Sequence, residues 1–203
     1  MHTNSGIKSF SFEKLVTLCL AENCTDIVVE RARQIVKDSG EWSLSKEERR
    51  SLFQAVGKML DQTGEFSHAF KVMHAYLKLY EQSEKAALAA TENDARRCVI
   101  LAIKAVDVIN FAELINLPAI KQLTQKHQKV FTLLNLFTEA TCTEFKNQLS
   151  NYRDLMTTEG LTEQELIVKK SYVQICTLNT QVTNFTYTEL SQLLNVSHFS
   201  SLF

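Results

Sequence analysis

The stretch that decides the fold runs from Asn93 to Leu123 and reads NDARRCVILAIKAVDVINFAELINLPAIKQL. Its first half predicts a helix that opens at Asn93 or Asp94, where a short polar side chain can cap free backbone amides. The apolar residues of this helix spread round most of its circumference: Cys98, Val99, Leu101, Ala102, Ile103, Ala105 and Val106. A helix with this pattern needs other helices on two sides. We therefore expect a stack of helices with this segment inside it.

The second half of the stretch predicts a joint between helices. Asn110 is expected to cap a short helix that runs through Ile115. Pro118, the chain's one proline, has no amide hydrogen and a fixed φ, so it belongs in the first turn of the next helix. The proline also pushes Leu117 towards extended backbone geometry. This joint is thus predicted to connect the two halves of the helical stack.

Upstream, two amphipathic helices predict a helical hairpin. Ser45 and Glu48 form a capping box at the start of the first helix, and Thr63 with Gly64 ends it. Apolar residues recur every three to four positions; they are Leu52, Phe53, Val56, Met59 and Leu60, then Phe66, Ala69, Phe70, Met73, Tyr76, Leu77 and Tyr80. Two such helices joined by a tight turn must lie antiparallel. The polar, alanine-rich segment 81–92 fits either an extension of the second helix or a loop.

The N-terminal part predicts two further helices behind a leader. Residues 1–10 are interpreted as a flexible leader. A helix is expected from Ser11 to Leu20, with an apolar stripe made by Phe12, Leu15, Val16 and Cys19. Thr25 opens a second helix, whose inner face would carry Val28, Ala32, Ile35 and Val36. Gly40 is expected to end it in the left-handed conformation.

Downstream, three more helices are predicted. The segment from Lys126 to Glu139 is nearly all apolar, and that from Thr143 to Thr157 is amphipathic, with Gly160 after it. Thr162 and Glu165 make a capping box for the third helix. Its buried face is expected to carry Val168, Tyr172, Ile175 and Cys176. Together, these segments predict an irregular stack of antiparallel helical hairpins without a tetratricopeptide or ankyrin signature.

The C-terminal segment predicts the start of a different unit. Thr186 and Glu189 make another capping box, and Ser197 would begin one more helix before the sequence ends at Phe203. This order is typical of the opening of a helix-turn-helix or winged-helix unit. We therefore divide the chain into a leader (1–10), a helical-repeat domain (11–183) and an incomplete winged-helix subdomain (184–203), as in a fragment or shortened form of a longer protein.

The composition excludes several classes of protein. Five glycines and one proline in 203 residues are too few for the turns of an all-β sandwich or barrel, which leaves an all-α fold. A formal net charge of −1, with both signs interspersed, is not typical of nucleic-acid-binding proteins. No apolar run is long enough for a membrane span, and the N-terminus lacks the layout of a secretory signal. We therefore expect a cytoplasmic protein with reduced, buried thiols at Cys19, Cys24, Cys98, Cys142 and Cys176.

No residue pattern indicates catalysis, a cofactor or a metal site. Cys19 and Cys24 are five residues apart with no second pair, unlike a zinc motif. His68, His74 and His127 are isolated along the chain, which favours ordinary surface or core histidines. The sequence has no glycine-rich phosphate loop, HExxH motif or GxSxG elbow. We expect no catalytic, cofactor-binding or metal-ligating residue.

Clustered basic residues are the remaining candidates for a site. They are Arg49, Arg50, Arg96, Arg97, Lys169, Lys170, Lys121, Lys126 and Lys129. Such residues bind RNA phosphates in other proteins, but the balanced charge here favours solvated helix faces. Aromatic residues are not interleaved with them as in surfaces that stack on bases. Direct contact with RNA is therefore the less favoured interpretation.

From about Trp42 onward, the chain resembles the PCI family, the module shared by the proteasome lid, the COP9 signalosome and eukaryotic translation initiation factor 3. The resemblance is closest to the family of M subunits of that factor. Four segments carry it, LFQAVGKMLDQTGEFSHAFKVMHAYLKLY, DARRCVILAIKAVDVINFAELINLPAIKQL, EFKNQLSNYRDLM and NFTYTELSQLL. The family is defined by helix order more than by invariant residues. The sequence departs from it by ending inside the winged helix.

The resemblance implies a PCI helical-repeat domain followed by a winged helix that docks against neighbouring PCI subunits. It implies a non-catalytic scaffold subunit of initiation factor 3, which binds other PCI and MPN subunits, contacts the small ribosomal subunit indirectly and supports mRNA recruitment. A PCI subunit of the COP9 signalosome or the proteasome lid is an alternative within the same class. Two alternatives come from other classes. The near-neutral charge argues against a nucleic-acid-binding winged-helix protein. An enzyme would need a pocket with convergent titratable groups. The sequence does not identify the partner-binding residues.

Overall fold

The computed structural model describes residues 3–22, 24–82 and 85–177, with side chains from residue 7 onward. Over these residues every regular element is helical, which confirms the expected all-α class. The first seven α-helices are Thr3–Ala21 (α1), Asp26–Arg33 (α2), Ile35–Asp38 (α3), Lys46–Gln62 (α4), Phe66–Lys78 (α5), Lys85–Ala89 (α6) and Glu92–Lys104 (α7). The next seven are Ala112–Asn116 (α8), Pro118–Lys121 (α9), Leu123–Lys126 (α10), Gln128–Glu139 (α11), Cys142–Gln148 (α12), Arg153–Glu159 (α13) and Glu163–Thr177 (α14).

The long helices pack one on the next in a layered order. Helix α1 packs on α4, α4 on α5, α5 on α7, α7 on α11, and α11 on α14. Their inner faces form one continuous apolar core that extends from Val16 in α1 to Val173 in α14. The predicted winged-helix start at 184–203, with its capping box at Thr186 and Glu189, lies outside the described residues.

Helices α4 and α5 form the predicted hairpin. Glu48 accepts a hydrogen bond from the Ser45 amide at 2.8 Å, and its own amide donates to the Ser45 hydroxyl at 3.2 Å, so the capping box is confirmed. Gly64 closes the turn at a φ of 79°, a left-handed conformation that glycine adopts without strain. Gly57 faces Met73 across the hairpin. These residues are almost equally far from the turn, as antiparallel packing requires.

We expect Gly57→Ala to destabilise the protein by about 1 kcal/mol, because overpacking in a core outweighs the gain in helix propensity over glycine. A Cβ atom at residue 57 would lie 2.5 Å from Sδ and 2.8 Å from Cγ of the buried Met73. Urea unfolding measures the change. Gly40→Ala is the matched control, since its Cβ would meet nothing within 4 Å. An equal effect of the two substitutions would contradict this account of the close approach.

Helix α7 lies inside the stack, as predicted. Its residues Ala95 and Cys98 to Ile103 are all buried, and α5 lies on one side while α9 and α11 lie on the other. Pro118 occupies the first turn of α9, and Leu117 before it is extended, with φ −62° and ψ 132°. The N-cap of α8 is Phe111, so the prediction of Asn110 as the cap was wrong by one residue, although the Asn110 side chain accepts a hydrogen bond from the Ala112 amide at 2.9 Å.

The predicted start and end of α7 were wrong. The helix begins at Glu92 after Thr91, so neither Asn93 nor Asp94 caps it. Asp94 instead accepts hydrogen bonds from Gln54 Nε2 at 2.7 Å and from the Tyr76 hydroxyl at 3.1 Å, which ties α7 to α4 and α5. At the other end, α7 stops at Lys104. Val106 therefore lies beyond the helix, and 76% of it is exposed.

The N-terminal half differs from the predictions for α1 and Gly40, and it contains a short helix where the sequence left the structure open. Helix α1 begins at Thr3 rather than Ser11, so most of the predicted flexible leader is helical. Gly40 lies inside a 3₁₀ turn, Ser39–Glu41, and has no positive φ, so it is not a left-handed cap. The segment 81–92, which the sequence left open, contains the short helix α6.

The C-terminal half differs from prediction mainly in where helices break. His127 separates α10 from α11, and the 3₁₀ turn Leu149–Tyr152 separates α12 from α13. Gly160 ends α13 in the left-handed region, with φ 62°. The capping box of Thr162 and Glu165 is confirmed by hydrogen bonds of 2.9 and 3.2 Å. The predicted buried face of α14 was wrong; the buried residues are Leu166, Lys169, Lys170, Ser171 and Val173.

Candidate interaction surface

The predicted basic pair Lys169 and Lys170 lies inside the protein rather than on its surface. Only 5% and 3% of these residues are exposed. Lys170 Nζ donates a hydrogen bond to the Phe137 carbonyl at 3.0 Å, and Lys169 Nζ donates to the Ala105 carbonyl. Phe137 lies in the last turn of α11, and Ala105 directly follows α7. Each lysine thus satisfies a carbonyl group at a helix C-terminus, where the helix dipole favours a positive charge.

Burial changes the titration of both lysines. It lowers the pKa of Lys169 to about 8, and it lowers the pKa of Lys170 below its ordinary value. Lys169 Nζ also lies 5.6 Å from the centre of the Phe111 ring, a cation–π contact that partly replaces its hydration. These side chains bind helix ends and are not available to RNA.

A second predicted basic pair belongs to a network of ion pairs between helices. Arg96 and Arg97 of α7 both bind the carboxylate of Glu159, at the end of α13, with an Arg97 Nη1 to Glu159 Oε2 distance of 2.8 Å. Arg97 also binds Asp61 of α4, and this contact raises the pKa of the Arg97 guanidinium. The Glu159 side chain is only 5% exposed. The network joins α4, α7 and α13, three helices far apart in sequence.

The other basic candidates mostly contact neighbouring groups. The Arg50 guanidinium lies 3.8 Å from the Tyr80 ring centre, and Arg50 Nη2 donates to the Leu79 carbonyl at 2.8 Å. Arg49 Nη2 donates to the Ser39 carbonyl at 3.3 Å. Lys126 pairs with Glu92 at 2.8 Å and Lys129 with Asp154 at 3.4 Å, while Lys121 is exposed. The candidates therefore do not gather into one free basic patch.

The histidines and cysteines do not form a metal site in the part of the chain that the structure describes. His68 lies 3.3 Å from Glu65 and His127 lies 3.1 Å from Glu92. His74 stacks on the Phe70 ring, and burial lowers its pKa. All five cysteines are free thiols. The prediction that all are buried was wrong, because Cys24 is only half-buried and Cys176 is exposed.

Helix α1 carries an apolar stripe that no described residue covers. Ile7, Phe10, Lys14 and Leu18 are spaced three or four residues apart, so they share one face of the helix. Ile7 is 63% exposed, Phe10 61% and Leu18 58%, while Lys14 Nζ lies 5.3 Å from the centre of the Phe10 ring. We call these four residues the outer stripe of α1. The opposite face, with Ser9, Val16 and Cys19, is buried where α1 packs on α4.

The charges beside the outer stripe are mainly basic. Lys8 and Lys14 are exposed, and Glu13 accepts a hydrogen bond from the Ser51 hydroxyl at 2.8 Å. Glu22 lies just beyond the C-terminal end of the helix. Sequence reasoning missed the stripe because the helix was expected to begin at Ser11. The signal was nevertheless present, since Ile7 and Phe10 continue the helical spacing that ends at Leu18.

A groove lies near the other end of the stack, between α5, the end of α7 and α14. Its volume is about 390 Å³, and apolar side chains form most of its walls, among them Phe66, Ile103, Leu161, Leu166 and Tyr172. Lys104 Nζ lies 5.0 Å from the centre of the Phe66 ring at its edge. Lys169 also borders the groove, but its amine is bound to the Ala105 carbonyl. The groove thus offers apolar surface rather than a set of reacting groups.

Over the described residues, these observations define an all-α stack of packed helices, in which no described residue covers the apolar outer stripe of α1. Over almost all of its length, the chain is distantly similar to the M subunit of eukaryotic translation initiation factor 3. It is 20% identical to the human protein over 196 residues, which are 97% of this chain and 51% of that protein. It is 21% identical to the Dictyostelium discoideum protein over 190 residues, and 19% identical to the Pyricularia oryzae protein over 198 residues.

These matches cover 91% and 95% of this chain, but only 46% and 45% of the Dictyostelium and Pyricularia proteins. The chain thus spans about half the length of the curated relatives that it matches. No family model and no solved structure matches it. Among the described residues, no helix is long and apolar enough to cross a membrane.

Proposed function

We propose that this chain is a non-catalytic scaffold subunit of the eukaryotic translation initiation factor 3 complex. The observation that carries the proposal is the similarity to the M subunit, which extends over 97% of the chain. The internal chemistry fits it, because the charged clusters join helices to one another and apolar side chains form most of the walls of the groove. Such a chain acts by position: its packed helices hold other subunits in a fixed arrangement.

In this proposal the partners are other initiation factor 3 subunits of the PCI and MPN types. The complex would act in the cytoplasm and contact the small ribosomal subunit. This chain would therefore support mRNA recruitment indirectly. The stack of helices would be a PCI helical-repeat domain, and residues 184–203 would begin the winged helix that docks against a neighbouring PCI subunit.

The outer stripe of α1 is the surface that we assign to a partner subunit. Large apolar side chains at three of the four positions of the outer stripe resemble the buried centre of a protein interface. Lys8 and Lys14 lie beside them as a basic rim. The partner surface that fits is an amphipathic helix with an apolar face and carboxylates beside it. Contiguous exposed apolar side chains of this kind favour a covering partner.

The experiment that tests the function is affinity purification of the intact protein from cell lysate at moderate salt, followed by mass spectrometry. Initiation factor 3 subunits with small-subunit ribosomal proteins are the expected result. Recovery of COP9 signalosome or proteasome-lid subunits would replace the proposed complex with another. Recovery of the chain alone would contradict the scaffold function, and salt-sensitive retention of RNA without protein would favour a nucleic-acid-binding winged-helix protein.

The double substitution Phe10→Ser with Leu18→Ser is expected to reduce recovery of the partner subunits by about tenfold or more, since buried apolar anchors dominate interface energies. Both side chains are more than half exposed in the free chain, so the fold should survive, and circular dichroism checks this. Val106→Ser is the matched control, because Val106 is exposed but lies at the groove. If Val106→Ser alone caused the loss of the partner subunits, the interface would lie at the groove rather than on α1.

A further inference from the structure

The C-terminal turn of α1 brings Cys19 and Cys24 together. The Cys24 amide donates a hydrogen bond to the Cys19 carbonyl at 3.0 Å, and the Glu22 amide donates to the Leu18 carbonyl at 3.0 Å. An amide that donates to the carbonyl five residues earlier brings the two residues close together, and at helix C-termini a side-chain contact frequently accompanies this bond. Here both side chains are thiols. Cys19 and Cys24 fit no cysteine motif in the sequence, but they are neighbours in the structure.

The two thiols differ in access to solvent. Cys19 is 2% exposed, whereas Cys24 is half-buried. Burial raises the pKa of the Cys19 thiol, and the neighbouring Cys24 thiol raises it further. A disulfide requires a Cα separation of about 4–7 Å with Cβ atoms directed towards each other. The backbone hydrogen bond of 3.0 Å between the two residues holds them close together.

We propose that Cys19 and Cys24 form a dithiol modification site that small-molecule disulfides, such as oxidised glutathione, convert to an intramolecular disulfide. The more exposed Cys24, as thiolate, attacks one sulfur of the oxidant and releases one equivalent of reduced thiol. Cys19 then attacks the Cys24 sulfur in the mixed disulfide, forms the Cys19–Cys24 bond and releases the second equivalent. The protein gives up two electrons and two thiol protons, and one oxidant disulfide is reduced to two thiols.

Cys176 provides a comparison inside the same chain. It lies on the last turn of α14 and is exposed, while Cys98 and Cys142 are buried in the core. An exposed thiol without a neighbouring thiol stops at the mixed disulfide. The same oxidant should therefore leave different products at Cys24 and at Cys176.

The test incubates the full folded chain with oxidised glutathione, blocks the remaining thiols by alkylation, and analyses the peptides by mass spectrometry. We expect the segment with Cys19 and Cys24 to lose two hydrogen atoms without retaining glutathione, while Cys176 retains one glutathione. Cys19→Ser should trap the glutathione on Cys24, and Cys24→Ser should leave Cys19 unmodified. A stable glutathione adduct on wild-type Cys24, or no reaction there while Cys176 reacts, would overturn the proposal.

A second measurement uses the wild-type protein and needs no substitution. Phenylarsine oxide binds two neighbouring thiols at once, so each folded chain should take up one equivalent. Prior oxidation with glutathione disulfide should abolish this uptake, and reduction with a phosphine should restore it. Uptake that survives the oxidation would place the arsenical elsewhere and contradict a Cys19–Cys24 pair.

Discussion

Glu159→Ala is expected to lower the free energy of unfolding by about 2–3 kcal/mol. Removing one partner of a buried ion pair costs about 3–5 kcal/mol, because the other charge stays desolvated without compensation. The expected loss falls below this range, since the side chains of Arg96 and Arg97 are 28% and 32% exposed and regain some hydration. Arg97 also keeps its contact with Asp61. Urea unfolding followed by circular dichroism measures the difference.

Two further variants separate the ion pair from simple loss of a side chain. Glu159→Gln keeps the shape and the acceptor oxygen but removes the charge, so it should fall between wild type and Glu159→Ala. Glu139→Gln is the control, because this glutamate is exposed at the end of α11 and its replacement should change stability by only a few tenths of a kcal/mol. Equal stability of Glu159→Ala and Glu139→Gln would show that the network contributes nothing.

Some helix ends were predictable from neighbouring residues alone. The capping boxes at Ser45 and Thr162, the chain reversal at Gly64 and the first-turn position of Pro118 all occur where the sequence places them. Each depends on residues within one helical turn, so the sequence carries the whole signal. Thr141 and Glu144 make a further capping box with the same spacing, and this one was overlooked because the helix was expected to start at Thr143, one residue after its actual start.

The buried face of α14 was not predictable in the same way. Its sequence has apolar side chains on two faces. Apolar periodicity alone therefore predicts that Lys169 and Lys170 face solvent. The actual orientation depends on the free carbonyls at the ends of α7 and α11, which bind the two amines. These partners lie 64 and 33 residues away in sequence. Only the packed structure brings them to α14.

The candidate interaction surface was missed for a related reason. Exposed and buried apolar residues look alike in a sequence, and α1 has both on opposite faces. Val16 is fully buried against the core, whereas Leu18, two residues further on, is 58% exposed. Helical periodicity assigns residues to faces, but it does not say which face has a neighbour. The position of α4 decides that for α1.

Between pH 8 and pH 10, the free energy of unfolding of the wild type minus that of Lys169→Met is expected to rise by about 2 kcal/mol. One pKa unit corresponds to about 1.4 kcal/mol. The folded-state pKa of Lys169 is about 8, below the ordinary value of 10.5. Between these values the unfolded chain holds a proton that the folded chain has released. Unfolding therefore takes up a proton, and higher pH disfavours it. Below pH 8 both states are protonated, and the cost of burying the charge is present in full.

The measurement is urea unfolding of both proteins at several pH values under reducing conditions. Comparison with Lys169→Met cancels the titration of other groups, including Lys170, Cys98 and Tyr76, since both proteins contain them. Methionine has a similar length and removes the charge, while Asp107, which favours the charged lysine, is unchanged. Lys121→Met is the control that removes the same charge from an exposed position. If the difference between wild type and Lys169→Met stays flat or falls as the pH rises, Lys169 does not lie desolvated at the end of α7.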